Sequence, residues 1–273
     1  MPANIPVKVK ERLSNGLKKF QGITQNAKSK DINESDTVVI VTDMLCEVFG
    51  FDKYSEITSE YSIKKTFCDL VIKIDGKIRF IIECKAAGME LKADHIKQAT
   101  DYGANEGVDW IILTNGHTWK IFKITFGKPI SNELVYQFDI LALNHKKDSD
   151  LELMYYVCKE SMSKSMLEEY HVQKQTLSRF FIGQVILTEG VLDSIKKTIK
   201  KMSPDVKVSN EEIQALIETE VLKREVLEGE KADEAKKKVQ KFFKATAKAR
   251  EKEKTVISVA TEATEGSAET ILN

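Results

Sequence analysis

Apolar positions along this chain follow two periods, and the change from one to the other organises the sequence. Val9, Leu13, Leu17 and Phe20 recur at helical spacing, which predicts a basic amphipathic helix from Pro6 to about Gln25. Val38, Val41, Leu45, Val48 and Phe49 form a second stripe and predict a helix from Asn33 to Gly50, where glycine suits the C-terminal cap. Extended segments are then expected at Tyr54 to Ser62, Phe67 to Ile74 and Lys77 to Lys85. After a helix from Leu91 to about Asn105, strands at Trp110 to Thr114 and Thr118 to Ile124 flank Asn115-Gly116. That dipeptide favours a two-residue hairpin turn, because both central positions need positive φ. Beyond residue 145 the period is helical, with helices predicted at Asp148 to Ser161, Ser165 to Leu187, Gly190 to Met202 and Asn210 to Leu227; Ser203-Pro204 stops the third.

The expected organisation is therefore an N-terminal helix (1–30), an α/β domain with a mixed sheet (31–145), an all-helical region (146–228), a charged helix (229–254) and a tail (255–273). The charged helix carries ten Lys or Arg against five Asp or Glu and reads as a solvated surface. The tail lacks Lys and Arg and has no sustained period, so disorder is expected there.

Composition narrows the function classes. With 42 Lys+Arg against 42 Asp+Glu the chain has no evenly basic coat, although a local basic groove remains compatible with that balance. Hydrophobic residues at 42%, with 13 Gly and 4 Pro, exclude collagen-like and wholly disordered chains. Cys46, Cys68, Cys84 and Cys158 form no CxxC pair, and read as small buried hydrophobes rather than a disulfide framework or zinc ribbon. No apolar run reaches the length of a membrane span, and no signal-peptide core follows Met1 to Lys10, so no membrane partner and a cytoplasmic location are expected.

The candidate chemistry lies in Thr66-Phe-Cys-Asp-Leu70 and Arg79-Phe-Ile-Ile-Glu-Cys-Lys85, where Asp69, Glu83 and Lys85 interrupt apolar strands. Buried charges need compensation. Glu83 and Lys85 differ by two and share a face. Asp69 joins them if Cys68 opposes Ile82, Leu70 opposes Phe80 and Ile72 opposes Ile78, which gives one continuous apolar face. An unbulged Asp75-Gly76 turn would instead set Cys68 against Glu83 and mix the faces. The pattern thus predicts a three-residue loop, Ile74-Asp75-Gly76, or a compensating bulge between Ile72 and Ile78, with Gly76 at positive φ. Two carboxylates and an ammonium on one face suit Mg²⁺ or Mn²⁺ and phosphodiester hydrolysis. Asp69 and Glu83 supply hard oxygen ligands, the Cys84 backbone carbonyl is a third candidate, and Lys85 is placed to orient water or stabilise negative oxygens. The bland reading is an ion pair that only fixes register.

Asp69 followed by Glu83-Cys84-Lys85, on helix, three strands, helix and strand, resembles the PD-(D/E)xK nuclease superfamily. The chain from about Ile32 to Ile140 is similar in particular to the N-terminal nuclease domain of type I restriction enzyme R subunits. Gln98-Ala-Thr-Asp-Tyr102 matches the QxxxY motif of RecB-like members, and Glu34 is the candidate for the family's acidic residue on the first core helix, a further metal ligand. Helical phase favours Glu34, which lies within about 20° of Leu45, over Glu47, about 160° away. Gln98 and Tyr102, four apart on one helix face, are expected to support the site, whereas His95 reads as a filler.

The resemblance implies a restriction-endonuclease-like αβββαβ core and a magnesium-dependent nuclease acting on DNA in restriction or defence. The chain has no G-x-x-x-x-G-K-[ST] motif, so a stand-alone nuclease without a helicase motor is expected. The C-terminal helices are candidates for homo-oligomer formation or for binding a separate subunit. The rival class is a non-catalytic nucleic-acid-binding or scaffolding protein with the same fold, and RNA is not separable from DNA as the substrate.

Overall fold

Strands that lie between two apolar layers need apolar residues on both faces, and Leu70-Val-Ile72, Phe80-Ile-Ile82 and Ile111-Ile-Leu113 provide them. In the computed structural model, which describes residues 4–63 and 66–246, these segments lie in one six-stranded sheet of order β1-β2-β3-β4-β5-β6. The strands are β1 (Ile57–Ile63), β2 (Thr66–Ile74), β3 (Lys77–Cys84), β4 (Trp110–Thr114), β5 (Thr118–Thr125) and β6 (Ser131–Asp139). All neighbours are antiparallel except β3 and β4. That parallel pair requires a crossover, which α3 (His95–Glu106) supplies.

One face of the sheet is covered by α1 (Val7–Ser29), α2 (Glu34–Glu47) and α4 (Asp148–Tyr155), whose Leu13, Leu17, Val41, Leu45 and Met154 share a cluster with Leu70, Ile72, Phe80, Ile82 and Trp119. The other face packs on α3 through Val71, Ile81, Ile111, Leu113, Ile96, Ala99 and Tyr102. The helix stripes and the strand alternation thus agree with the α/β expectation. Gly50 has φ of 84° just past α2, where the Phe51 N–H donates to Leu45 O at 3.0 Å, as a glycine-terminated helix requires.

Two turns correct the sequence reading. The β2–β3 loop is the two-residue Asp75-Gly76, with φ of 51° and 72°, and not Ile74-Asp75-Gly76. The pairs are Leu70 with Ile82, Val71 with Ile81 and Ile72 with Phe80, then Lys73 with Ile78 and Ile74 with Lys77. The partners expected for Leu70 and Ile72 are therefore displaced by two, and Ile82 pairs with Leu70 rather than with Cys68. The register shift after Ile72 leaves Arg79 as the extra residue, and Leu70, Ile72, Phe80 and Ile82 share one face as expected, whereas Cys68 and Ile78, expected beside them, pack with Val71 and Ile81 on the other. The β4–β5 loop is longer than Asn115-Gly116: Thr114 pairs with Trp119, and of these residues Gly116 takes positive φ, at 88°. Asn115 instead uses its side chain, whose Oδ1 accepts the Thr118 N–H at 2.9 Å.

The chain divides into two compact units, Met1–His171 and Val172–Asn273. The change of period near residue 145 does not coincide with that division, because α4 and the residues up to the short α5 (Lys159–Met162) supply Leu151, Met154, Tyr155 and Cys158 to the first unit's main cluster. Three of the four free cysteines are buried and Cys46 is half-buried.

In the second unit α7 (Arg179–Ile186), α8 (Glu189–Met202) and α9 (Asn210–Leu216), which runs into a π turn at Ile217–Val221, pack around Leu192, Ile213 and Ile217. The Ser165 to Leu187 helix is split, with α6 (Met166–Thr176) ending before Ser178, whose side chain caps α7 by accepting the Phe181 N–H. Residues 230–246 are helical. The tail at 255–273, for which disorder was expected, lies outside the described residues. Among those residues no helix is long and apolar enough to cross a membrane.

Candidate active site

The C-terminal end of β3 carries the charged cluster. Residues Ile81 to Cys84 pair with Ile111 to Thr114, and the Lys85 N–H extends the ladder one residue further by donating to Thr114 O at 2.8 Å. The sheet thereby fixes the backbone beneath Glu83 and Lys85. Asp69 reaches the same end from β2, where its Oδ2 accepts the Cys84 N–H at 2.7 Å. Glu34 enters from the first turn of α2, a helix start set by the Asn33 cap, which accepts the Asp36 N–H.

These placements bring four of the predicted residues together. Lys85 Nζ lies 2.7 Å from Glu83 Oε1 and 3.3 Å from Glu34 Oε2. Glu83 is almost wholly buried, at 5% exposure, and its Oε2 has no hydrogen-bond partner among the described residues. Burial pushes the Glu83 carboxyl up, and the charge of Asp69 adds to this against the bond from Lys85. Burial likewise raises Asp69, against the Cys84 amide and the Lys85 charge. For Lys85 burial acts downward, but the bond and charge of Glu83, with the charges of Glu34 and Asp69, hold the ammonium above the ordinary lysine value. Glu47, on the other side of α2, is exposed and pairs with Lys19.

Three carboxylates around one ammonium leave an excess of negative charge in a poorly solvated place, which a cation would relieve. Among the described residues no three His, Cys, Asp or Glu side chains form a ready cage. Mg²⁺ does not need one, since it commonly keeps several waters and takes one or two carboxylates. The unbonded Glu83 Oε2 and the raised Asp69 fit that demand, so the donor set is compatible with such an ion.

Gln98 Nε2 donates to the Tyr102 hydroxyl, and Tyr102 is buried in the same cluster as Cys68, next to Asp69, and Ile81, two residues before Glu83. His95 accepts the Lys92 N–H at 3.3 Å. The sequence reading passed over Thr114, Asn115 and His117, all buried beside the end of β3. The signal available was the run of polar residues, Thr-Asn-Gly-His-Thr, directly after an apolar strand.

No curated protein and no solved structure matches the chain. Residues 30–136, from just before α2 into β6, match the family described as the type I restriction enzyme R protein N terminus, so the segment that carries Asp69, Glu83 and Lys85 is similar to that family, and its mixed sheet with flanking helices is consistent with a restriction-endonuclease-like α/β fold.

Proposed function

We propose that the chain is a metal-dependent nuclease, of restriction or defence type, that hydrolyses DNA phosphodiester bonds. The observation that supports this most is the meeting of Asp69, Glu83 and Lys85 at one end of β2 and β3, with one Glu83 oxygen buried and unbonded. Asp69 and Glu83 would hold Mg²⁺ or Mn²⁺, with the Cys84 carbonyl and Glu34 as further ligands. When bound, the ion supplies Lewis acidity for the attacking water and positive charge opposite the phosphoryl oxygens.

The chain's own groups do the rest. Lys85, kept protonated by its carboxylates, acts as a donor that orients water or stabilises a developing negative oxygen, not as a base. Glu34 shares the ammonium with Glu83 and so limits where it can point. Gln98, anchored on Tyr102, supports the Lys85 side of the site or a DNA phosphate. The partners on this reading are DNA and, through the C-terminal helices, a second copy or a separate subunit, in the cytoplasm.

One observation favours the rival, a non-catalytic nucleic-acid-binding or scaffolding protein. Lys85 already pairs with Glu83 and Glu34, as a purely structural ion pair would. Incubation of the purified chain with plasmid and linear DNA, and with RNA, in Mg²⁺ or Mn²⁺ separates the two. Cleavage that vanishes with EDTA and in a folded Lys85→Ala protein supports the enzyme; DNA binding without cleavage under all these conditions favours the rival.

A further inference from the structure

The segment that leaves β3, residues 85–94, has neither helix nor strand of its own, yet it follows directly on Lys85. It is held from outside. The β4–β5 hairpin supplies a series of ties. Thr114 O accepts the Lys85 N–H at 2.8 Å, Asn115 Nδ2 donates to Met89 O at 2.8 Å, and Lys120 Nζ donates to Leu91 O at 2.8 Å. The Ala87 backbone lies within polar reach of the His117 ring.

On its other side Ala87 donates its N–H to Ile32 O at 3.2 Å. Gly88 lies so close to Asp31 that a Cβ there would stand 2.0 Å from the Asp31 carboxylate. Asp31 and Ile32 lead directly into Glu34. The Ala87-Gly88 turn is therefore the point where the approach to Glu34, the exit from Lys85 and the Asn115-Gly116-His117 loop meet.

That loop is an expensive way to connect two strands. Asn115 and His117 are 4% and 5% exposed, and a buried polar group is tolerated only when it is bonded. A short Asn-Gly turn would need no long-range partner. Here Asn115 divides its amide, accepting the Thr118 N–H with Oδ1 and donating Nδ2 to Met89. His117 Nδ1 lies 3.1 Å from Thr118 Oγ1 and 3.4 Å from Asp139 Oδ1, so the ring is fixed from β5 and β6 while it reaches Ala87.

We propose that Asn115 and His117 are positioning residues for Lys85, acting through Met89 and Ala87 to set the direction in which the amine meets Glu83 and Glu34. The kinetic consequence rests on the nuclease reading; the structural one does not. A displacement of about 1 Å in a catalytic group is enough to cost roughly 100-fold in rate.

The experiment compares His117→Ala, His117→Gln and Asn115→Asp in the full chain. Gln carries an amide donor to about the place of the distal ring nitrogen, and Asp keeps the acceptor for Thr118 while losing the donor to Met89. For His117→Ala and Asn115→Asp the expectation is a fall in kcat of roughly 10- to 100-fold, with KM for DNA within about 3-fold. Backbone amides 85–89 should exchange faster with solvent in both. His117→Gln should recover most of the rate and of the amide protection. Wild-type kcat and protection in both disruptive variants, or a loss in His117→Gln as deep as in His117→Ala, would overturn the proposal. If the wild type cleaves no nucleic acid, the nuclease reading fails, and the exchange of amides 85–89 still decides whether these two residues hold the segment.

Discussion

The two units put similar apolar residues to different uses. In Met1–His171, Leu13, Leu17, Val41, Leu45, Ile72, Ile82 and Trp119 are fully withdrawn from solvent, shared between helices and a sheet whose pairings join distant parts of the chain. In the second unit the cluster is Leu192, Ile213 and Ile217, while Leu177, Met202, Leu216, Val221 and Phe242 are each more than half exposed. Burying Glu83 with an unbonded oxygen requires surroundings that do not yield, and a dense two-layer core provides them. Short helices around a small cluster leave apolar surface over.

The first unit's most sensitive point is the charged end of β3. Lys85→Ala is expected to lower metal-dependent cleavage by about 1,000-fold, about 4 kcal/mol of transition-state stabilisation, while the protein keeps a cooperative melt. Loss of the melt together with activity would mean that the ion pair holds the sheet rather than serves chemistry.

Core truncations sharpen the contrast. Leu13→Ala should destabilise the first unit by roughly 2–5 kcal/mol in chemical denaturation, because its closed surroundings cannot collapse onto the space. Ile213→Ala, in the smaller cluster, should cost roughly 1–2 kcal/mol. Equal costs would remove the distinction between the two cores.

Arg12 ties α1 to the chain beyond the sheet, with both terminal nitrogens 2.7 Å from Glu160 and Nε 2.9 Å from Val48 O. Both side chains are partly exposed, so solvent screening reduces the cost of Arg12→Ala to about 1–2 kcal/mol. Burial pushes Glu160 up, but the Arg12 bond and charge, its own backbone N–H and the Lys159 charge together outweigh it and hold the carboxyl below the ordinary glutamate value. Its contribution is therefore complete above the ordinary glutamate range and lost as pH falls through the depressed folded value. Melting curves of wild type and Arg12→Ala should converge in acid; a gap that widens as pH falls would contradict this sign. The smallest effect is expected for Leu216→Ser in the second unit, within about 0.5 kcal/mol, since Leu216 is 59% exposed. A larger loss would show that another surface covers it.

The sequence alone determined the elements of the α/β region as far as β5 and which positions bring charge to the end of β3. Period fixes a face without reference to any partner: the phase of α2 put Glu34 inward and Glu47 outward, and the apolar alternation required Asp69 and Glu83 to share a face. It also showed that any simple two-residue turn needed a compensating bulge, and Arg79 is that extra residue. β6 escaped because a shift between Ile121 and Phe122 breaks the alternation opposite it, leaving Leu134 exposed beside buried Val135 and Tyr136.

The partners of each face were set by long-range packing. A helical stripe announces a buried face but not what covers it, so periodicity could not tell that α4 closes the first unit's core. Pair register depends on where a bulge absorbs the spare residue, which local pattern leaves free. The ties from Asn115 and His117 to the segment after Lys85 join residues almost thirty positions apart, and contacts at that distance arise from the crossover of α3 between β3 and β4, not from any local preference.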